Sequence, residues 1–172
     1  MTIATRRVIL VPYNESLLSD YIVLNCCVKN RFYLNGPYTV SKAKQEFNQL
    51  LNDNQIYARA VLDSFTHEYI GHIALSDLSL QPTLVFVFDK SYWGQGIAAE
   101  ALGAFLKKAR RDLSLTHVCA VNSVEHMAAI RVLQKLGFEN KGPSSDGEDQ
   151  YVEHQFTFDV VAGENARLES QS

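Results

Sequence analysis

One stretch constrains the fold more than any other. Residues 83–88 (TLVFVF) form an apolar run without polar alternation, which predicts a strand covered on both faces. A short polar turn follows, then Gly94-Gln95-Gly96, and from about residue 97 to 112 the apolar residues Ala98, Ala101, Leu102, Phe105, Leu106 and Ala109 recur at helical spacing. A buried strand that feeds a glycine turn and opens directly into a helix places unpaired backbone N–H groups, and the positive end of the helix dipole, beside the sheet. That arrangement suits a phosphate or pyrophosphate. Gly94 and Gly96 allow the backbone close approach and positive φ, and small Ala98 and Ala99 keep the approach clear.

The flanking sequence predicts a single α/β domain over residues 1–162, followed by a polar tail at 163–172. Residues 7–13 read as a first strand closed by Pro12, and residues 15–30 as a helix. Asn35-Gly36-Pro37 breaks the chain, and Ser41 is the expected N-cap of a helix running to about residue 51. Strands are expected at 56–62 and 69–75 across a polar connection of hairpin length. A short strand at 117–121 precedes an amphipathic helix at 125–136 stopped by Gly137; Phe138 begins a further strand, 142–147 is a loop, and 151–161 alternates like a last strand. Consecutive strands imply antiparallel pairing and the later strand-helix-strand units a parallel portion, hence a mixed sheet.

Several function classes are disfavoured. The net charge of −3 leaves no basic footprint for nucleic acid, and the basic run 107–111 reads as a solvated helix face. Cys26, Cys27 and Cys119 make neither a disulfide framework nor a zinc spacing, so no metal is expected. No apolar run approaches the roughly 20 residues that span a bilayer, and the first residues lack a signal-peptide pattern, so no membrane role and a cytoplasmic location are expected. A dinucleotide fold needs Gly-x-Gly-x-x-Gly at the first strand-to-helix turn, whereas the third position here is Ala99 and the turn lies mid-chain. The Gly-Lys-Ser/Thr of a nucleotide-triphosphate loop is absent.

Residues 92–101 (YWGQGIAAEA) resemble the acyl-CoA-binding motif of GNAT acetyltransferases, Arg/Gln-x-x-Gly-x-Gly/Ala, with Trp93 where many members carry Arg or Gln. This version is similar to that of the RimJ and RimL branch, as are residues 131–138 (RVLQKLGF) and 70–75 (IGHIAL). The resemblance covers about residues 7–160 and implies a mixed, mostly antiparallel twisted sheet of six to seven strands flanked by about four helices. It also implies acetyl-CoA as co-substrate and a primary amine as acceptor, either a peptide N-terminus or a small molecule. The amides of Gln95, Gly96, Ile97 and Ala98 would hold the pyrophosphate beside Gly94 and Trp93, and the pantetheine arm would pair with Phe86, Val87 and Phe88. The thioester would lie where that strand splays from 118–121, with the acceptor entering from the opposite side for direct attack in a ternary complex. The protein would act as a monomer or homodimer.

The sequence departs from the branch at its acid and base. Alignment on Arg131-Val132-Leu133 puts His126 where the branch has Asn and Ala129 where it has Ser, and Leu133 stands where other members have Tyr. Thr83 and its neighbours occupy a region where a Glu is common. His126 is therefore a candidate for CoA contact or proton transfer, against an idle histidine at a helix start. Tyr151 is a second catalytic candidate, against simple strand packing. Trp93 either shields CoA or packs under the turn, Glu125 favours a helix start, Asp89 caps the turn and His72 reads as a satisfied strand histidine. The lost Ser and the missing acidic residue leave open a non-catalytic acyl-CoA-binding sensor or interaction module as an alternative.

Overall fold

The sheet grows from a local hairpin. The computed structural model describes residues 2–144 and 150–158. Strands β1 (Ile3–Ala4), β2 (Val8–Val11), β3 (Tyr57–Asp63), β4 (Tyr69–Ser76) and β5 (Thr83–Phe88) pair antiparallel in sequence order. The β3–β4 turn is closed by Asp63, whose Oδ1 accepts from the amides of Phe65 (2.8 Å) and Thr66 (3.0 Å). Helix α1 (Leu18–Asn25) and helix α2 (Val40–Asn52) separate β2 from β3. Helix α3 (Ile97–Leu113) then crosses from β5 to β6 (His117–Ser123), giving the parallel pair β5–β6. Helix α4 (Met127–Lys135) leads to β7 (Glu139–Pro143) and β8 (Tyr151–Thr157), and the eight strands run β1-β2-β3-β4-β5-β6-β8-β7.

The architecture is the expected mixed α/β sheet with four helices, with eight strands in place of six to seven. The additional one is β1, two residues that pair with Leu10 and Ile9 and are too short to leave a periodicity. The second helix is capped by Thr39, which accepts from the Lys42 amide at 3.1 Å, and not by Ser41. The first helix is shorter than expected, a 3-10 turn at Glu15–Leu17 and then α1, because Asn25 ends it. The buried Asn25 amide turns back to the Tyr21 carbonyl (3.0 Å) and accepts from Arg31 (3.0 Å). β5 is not covered on both faces along its length, since Val85 is 47% exposed. The tail at 163–172, the loop residues 145–149 and the expected end of the last strand at 159–161 lie outside the described residues.

The main core forms where α3 lays Ala101, Leu102, Phe105, Leu106 and Ala109 on Val8, Leu10, Val61, Ile73, Leu75 and Val118. A second, smaller cluster of Tyr21, Ala43 and Phe47 joins α1 to α2 and packs with Tyr13. Gly71 lets β4 pass under the end of β5: a Cβ there would fall 2.7 Å from the Phe88 ring and 2.9 Å from the Val87 carbonyl oxygen. Phe105→Ala, at a fully buried centre of the core, is expected to cost about 3–5 kcal/mol in chemical denaturation, whereas Val85→Ala is expected to change stability by less than about 0.5 kcal/mol.

Candidate active site

The start of α3 leaves its first backbone amides without helical partners. Gly94 and Gly96 both take positive φ (74° and 76°), Gly96 as the left-handed N-cap of the helix. The bond from the Glu100 amide to the Gly96 carbonyl (3.2 Å) marks the first helical turn, so the amides before it are directed out of the helix end. Three sets of contacts fix this turn. Asp89 Oδ1 accepts from the Ser91 amide (3.0 Å), the Trp93 indole donates to the Phe88 carbonyl (2.9 Å), and Asn30 Oδ1 accepts from the Lys90 amide (2.9 Å). Asn30 Nδ2 also donates to the Leu24 carbonyl (3.1 Å), which fastens the chain after α1 to the turn.

Behind the turn stands an ion pair that sequence reading assigned no role. Arg7 donates from Nε to Glu100 Oε1 (2.9 Å) and from Nη1 to the Gln95 carbonyl (2.7 Å). Glu100 Oε2 accepts from the Arg7 amide (2.9 Å) and the Thr5 hydroxyl (2.5 Å). Burial pushes the Glu100 carboxyl up, but these hydrogen bonds, with the nearby guanidinium, hold it below its ordinary value. The only sequence signal was the position of Glu100 inside the glycine motif, four residues past Gly96.

A cavity of about 290 Å³ opens in front of the turn. Phe86, Val87 and Phe88 form its strand wall, and Trp93, Gly94, Gly96, Ile97 and Ala98 its turn wall. Gln95 does not line it: its side chain bonds the Ser91 carbonyl (3.1 Å) and its own carbonyl holds Arg7. His126 joins from the start of α4, half-buried and stacked on Tyr33 with centroids 4.8 Å apart. Burial lowers its pKa, and its Nδ1 has no partner among the described residues. Tyr151 lines neither this cavity nor the next; its hydroxyl donates to Asn35 Oδ1 (2.8 Å), joining β8 to the loop after α1. Ala129 lines the cavity and Leu133 is fully buried in the core, so neither position supplies a hydroxyl.

The cavity has a counterpart across the sheet. β5 and β6 are in register only at Thr83 and Cys119 and part beyond that point, while the other edge of β6 pairs with β8 along its whole length. On the far side of the resulting gap lies a second cavity of about 280 Å³, lined by Tyr21, Arg31, Tyr38, Glu46, His72 and Asn122 among others. The two share Leu34, Phe86 and Val87. Arg31 is spent on structure: it donates to Asn25 Oδ1 (3.0 Å) and to the carbonyls of Leu34 (3.0 Å) and Gly36 (3.0 Å), and covers the Tyr38 ring. Glu46 is half-buried and forms no ion pair among the described residues. His72 is a buried strand histidine with a hydrogen-bond partner, as expected: its Nδ1 lies 2.8 Å from the Tyr13 hydroxyl, and burial, with the Arg31 charge, lowers its pKa to about 3.

Among the described residues no group of His, Cys, Asp and Glu could hold a metal ion, and no helix is long and apolar enough to cross a membrane.

Comparison with known proteins shows the family and the fold. The model of the family described as acetyltransferase (GNAT) domain matches residues 7–139. Among curated proteins, the uncharacterized N-acetyltransferase YnaD of Bacillus subtilis (strain 168) is 26% identical over 114 residues, covering 65% of this chain and 66% of that one, just under two thirds of its length. Spermidine N-acetyltransferase from Vibrio cholerae, solved in complex with CoA and spermine, superposes with a TM-score of 0.76 at 18% identity, covering 89% of this chain and 96% of that one. The ribosomal L7/L12 α-N-protein acetyltransferase RimL in complex with CoA gives a TM-score of 0.76 at 15% identity over 92% and 99%. At these identities the two structures establish the fold.

Two outcomes test the site as built. Glu100→Gln removes the charge that holds Arg7, and is expected to lower stability by about 1–2 kcal/mol in thermal or chemical unfolding. His72 is neutral when folded, with a pKa of about 3 against an ordinary 6.5, so its contribution is complete above pH 6.5 and is lost progressively as pH falls toward 3. His72→Gln is therefore expected to flatten the pH dependence of stability between those limits, measured by denaturant titration.

Proposed function

Because this chain belongs to the GNAT acetyltransferase family, we propose that it transfers an acetyl group from acetyl-CoA to a primary amine by direct attack. It is an acyltransferase by family. The observation that carries the reading is the gap between β5 and β6, which joins a cavity headed by a helix N-terminus to a second cavity with a free carboxylate.

The residues present fit acetyl-CoA. The amides of Gln95, Gly96, Ile97 and Ala98 hold its pyrophosphate, with the α3 dipole adding favourable charge and the Arg7–Glu100 pair keeping the turn in shape. Along Phe86–Phe88, the side of β5 facing the gap has no β6 partner and is available to the pantetheine amides. When bound, acetyl-CoA supplies the activated acyl group; a β5 amide facing the gap polarises its carbonyl, and His126 with Tyr33 forms the opposite wall. With Ala129 and Leu133 at the usual hydroxyl positions, catalysis rests chiefly on juxtaposition.

The acceptor enters through the second cavity. Glu46 beside the rings of Tyr21 and Tyr38 favours an amine that arrives as a cation. A place in the RimJ/RimL branch accords with residues 92–101 and favours a peptide N-terminus; the spermidine enzyme shares the fold to the same degree and favours a small polyamine. Tyr151 orients the acceptor loop through Asn35.

A thermal-shift titration tests the co-substrate. Acetyl-CoA at 100 times its dissociation constant is expected to stabilise the protein by about 2.7 kcal/mol, a shift of several degrees. Ala99→Glu puts a carboxylate in the turn wall while favouring the helix start, so this variant is expected to fold and lose the shift. No shift in the unaltered protein at millimolar ligand would contradict the proposal. For the acceptor, Glu46→Gln is expected to raise the amine KM about tenfold with acetyl-CoA affinity unchanged, read from initial rates.

A further inference from the structure

The second cavity contains a hydrogen-bonded chain that positioning of two substrates does not require. His72 sits on β4 opposite Val87 of β5, one strand from the place where the cavities meet. Its Nδ1 is 2.8 Å from the Tyr13 hydroxyl, and that oxygen is 2.6 Å from the hydroxyl of Tyr69. No protein group among the described residues bonds Nε2, and the side chain lines the cavity. Tyr69 is half-buried, and the exposed carboxylate of Asp20 on α1 acts on both phenols.

We propose that His72 is the catalytic base of the acceptor site, and that Tyr13 and Tyr69 are positioning residues that carry its proton to the surface. The inference rests on the reading of this cavity as the amine site. The acceptor arrives as R–NH3+. One N–H bond breaks, its electron pair stays on the amine nitrogen, and the proton bonds to the Nε2 lone pair. The Nδ1 proton passes to the Tyr13 oxygen, the Tyr13 proton to Tyr69, and the Tyr69 proton to water. The ring ends as the other neutral tautomer and no side chain gains charge. After product leaves, water entering the cavity takes the Nε2 proton while the chain runs in reverse and restores Nδ1–H.

The surroundings favour such a relay over storage of the proton. The groups around the ring are Tyr21 of α1, with centroids 5.5 Å apart, Tyr13 after β2, Tyr69 on β4 itself, and Arg31, Tyr38 and Glu46 lining the same cavity. β3 and β5 oppose it with Ala60 and Val87, which carry no charge. Burial and the Arg31 charge make an imidazolium costly, and burial opposes a phenolate at Tyr13. A tautomer exchange needs neither.

The test uses the full chain with acetyl-CoA and the best acceptor from a panel of free-N-terminus peptides and aliphatic polyamines. Initial rates are taken from pH 6 to 10 for the unaltered protein, Tyr13→Phe, Tyr69→Phe and His72→Gln, with melting temperature and acetyl-CoA affinity measured for each. Tyr13→Phe and His72→Gln are expected to lower kcat near neutral pH by about 10²-fold with acetyl-CoA affinity unchanged, and Tyr69→Phe by less. The loss should close as pH rises and the amine arrives already deprotonated, a recovery that a purely structural role would not give. If His72→Gln unfolds, the phenylalanine variants, each lacking one oxygen, carry the test. Folded variants with unaltered kcat and pH profile would overturn the relay and leave the acetyltransferase reading intact. No turnover by the unaltered protein would overturn both.

Discussion

β5 and β6 meet at one register point, Thr83 against Cys119, and part beyond it. This separation is a consequence of how the chain must travel. Parallel neighbours require a crossover, and α3 supplies it, packing Leu102, Phe105 and Ala109 on the sheet and starting at the end of β5. The start of α3 therefore lies beside the opening strands, and the positive end of the helix faces the gap. The opposite edge of β6 is held along its full length by β8, with pairs from His117 opposite Thr157 to Ser123 opposite Tyr151. No strand among the described residues closes the gap.

Long-range contacts hold the two cavities in relation. Arg7 and Glu100 tie the entry to β2 to the first turn of α3, across 93 positions of sequence. Asn30 ties the chain after α1, which shapes the second cavity through Arg31 and Tyr38, to the Lys90 amide at the edge of the first. Tyr33 reaches from the same segment to stack on His126. One loop thereby touches both cavities.

Much of this was legible in the sequence wherever the signal is local. The TLVFVF run, the Gly94 and Gly96 turn and the period of α3 fix the strand, the left-handed backbone and the helix face within 30 residues. β1 left no trace because two residues have no period. The choice of Thr39 over Ser41 as cap depended on where the chain could leave the helix, since both residues can cap. The partners of Glu100 and His72 were hidden for another reason: the side chains that define their roles lie 93 and 59 residues away, and only sheet pairing brings them near. Tyr151, a catalytic candidate by its place in the last strand, donates its hydroxyl to Asn35, a contact 116 positions away in sequence.

The most direct test of the account is the pattern of initial rates when acetyl-CoA and an amine acceptor are varied together. Two cavities that meet at Phe86 and Val87 predict that both substrates are bound at once, so double-reciprocal lines should intersect and the acetylated amine should form only when both are present. Parallel lines, or an acetylated protein isolated after acetyl-CoA alone, would contradict direct transfer across the gap between β5 and β6.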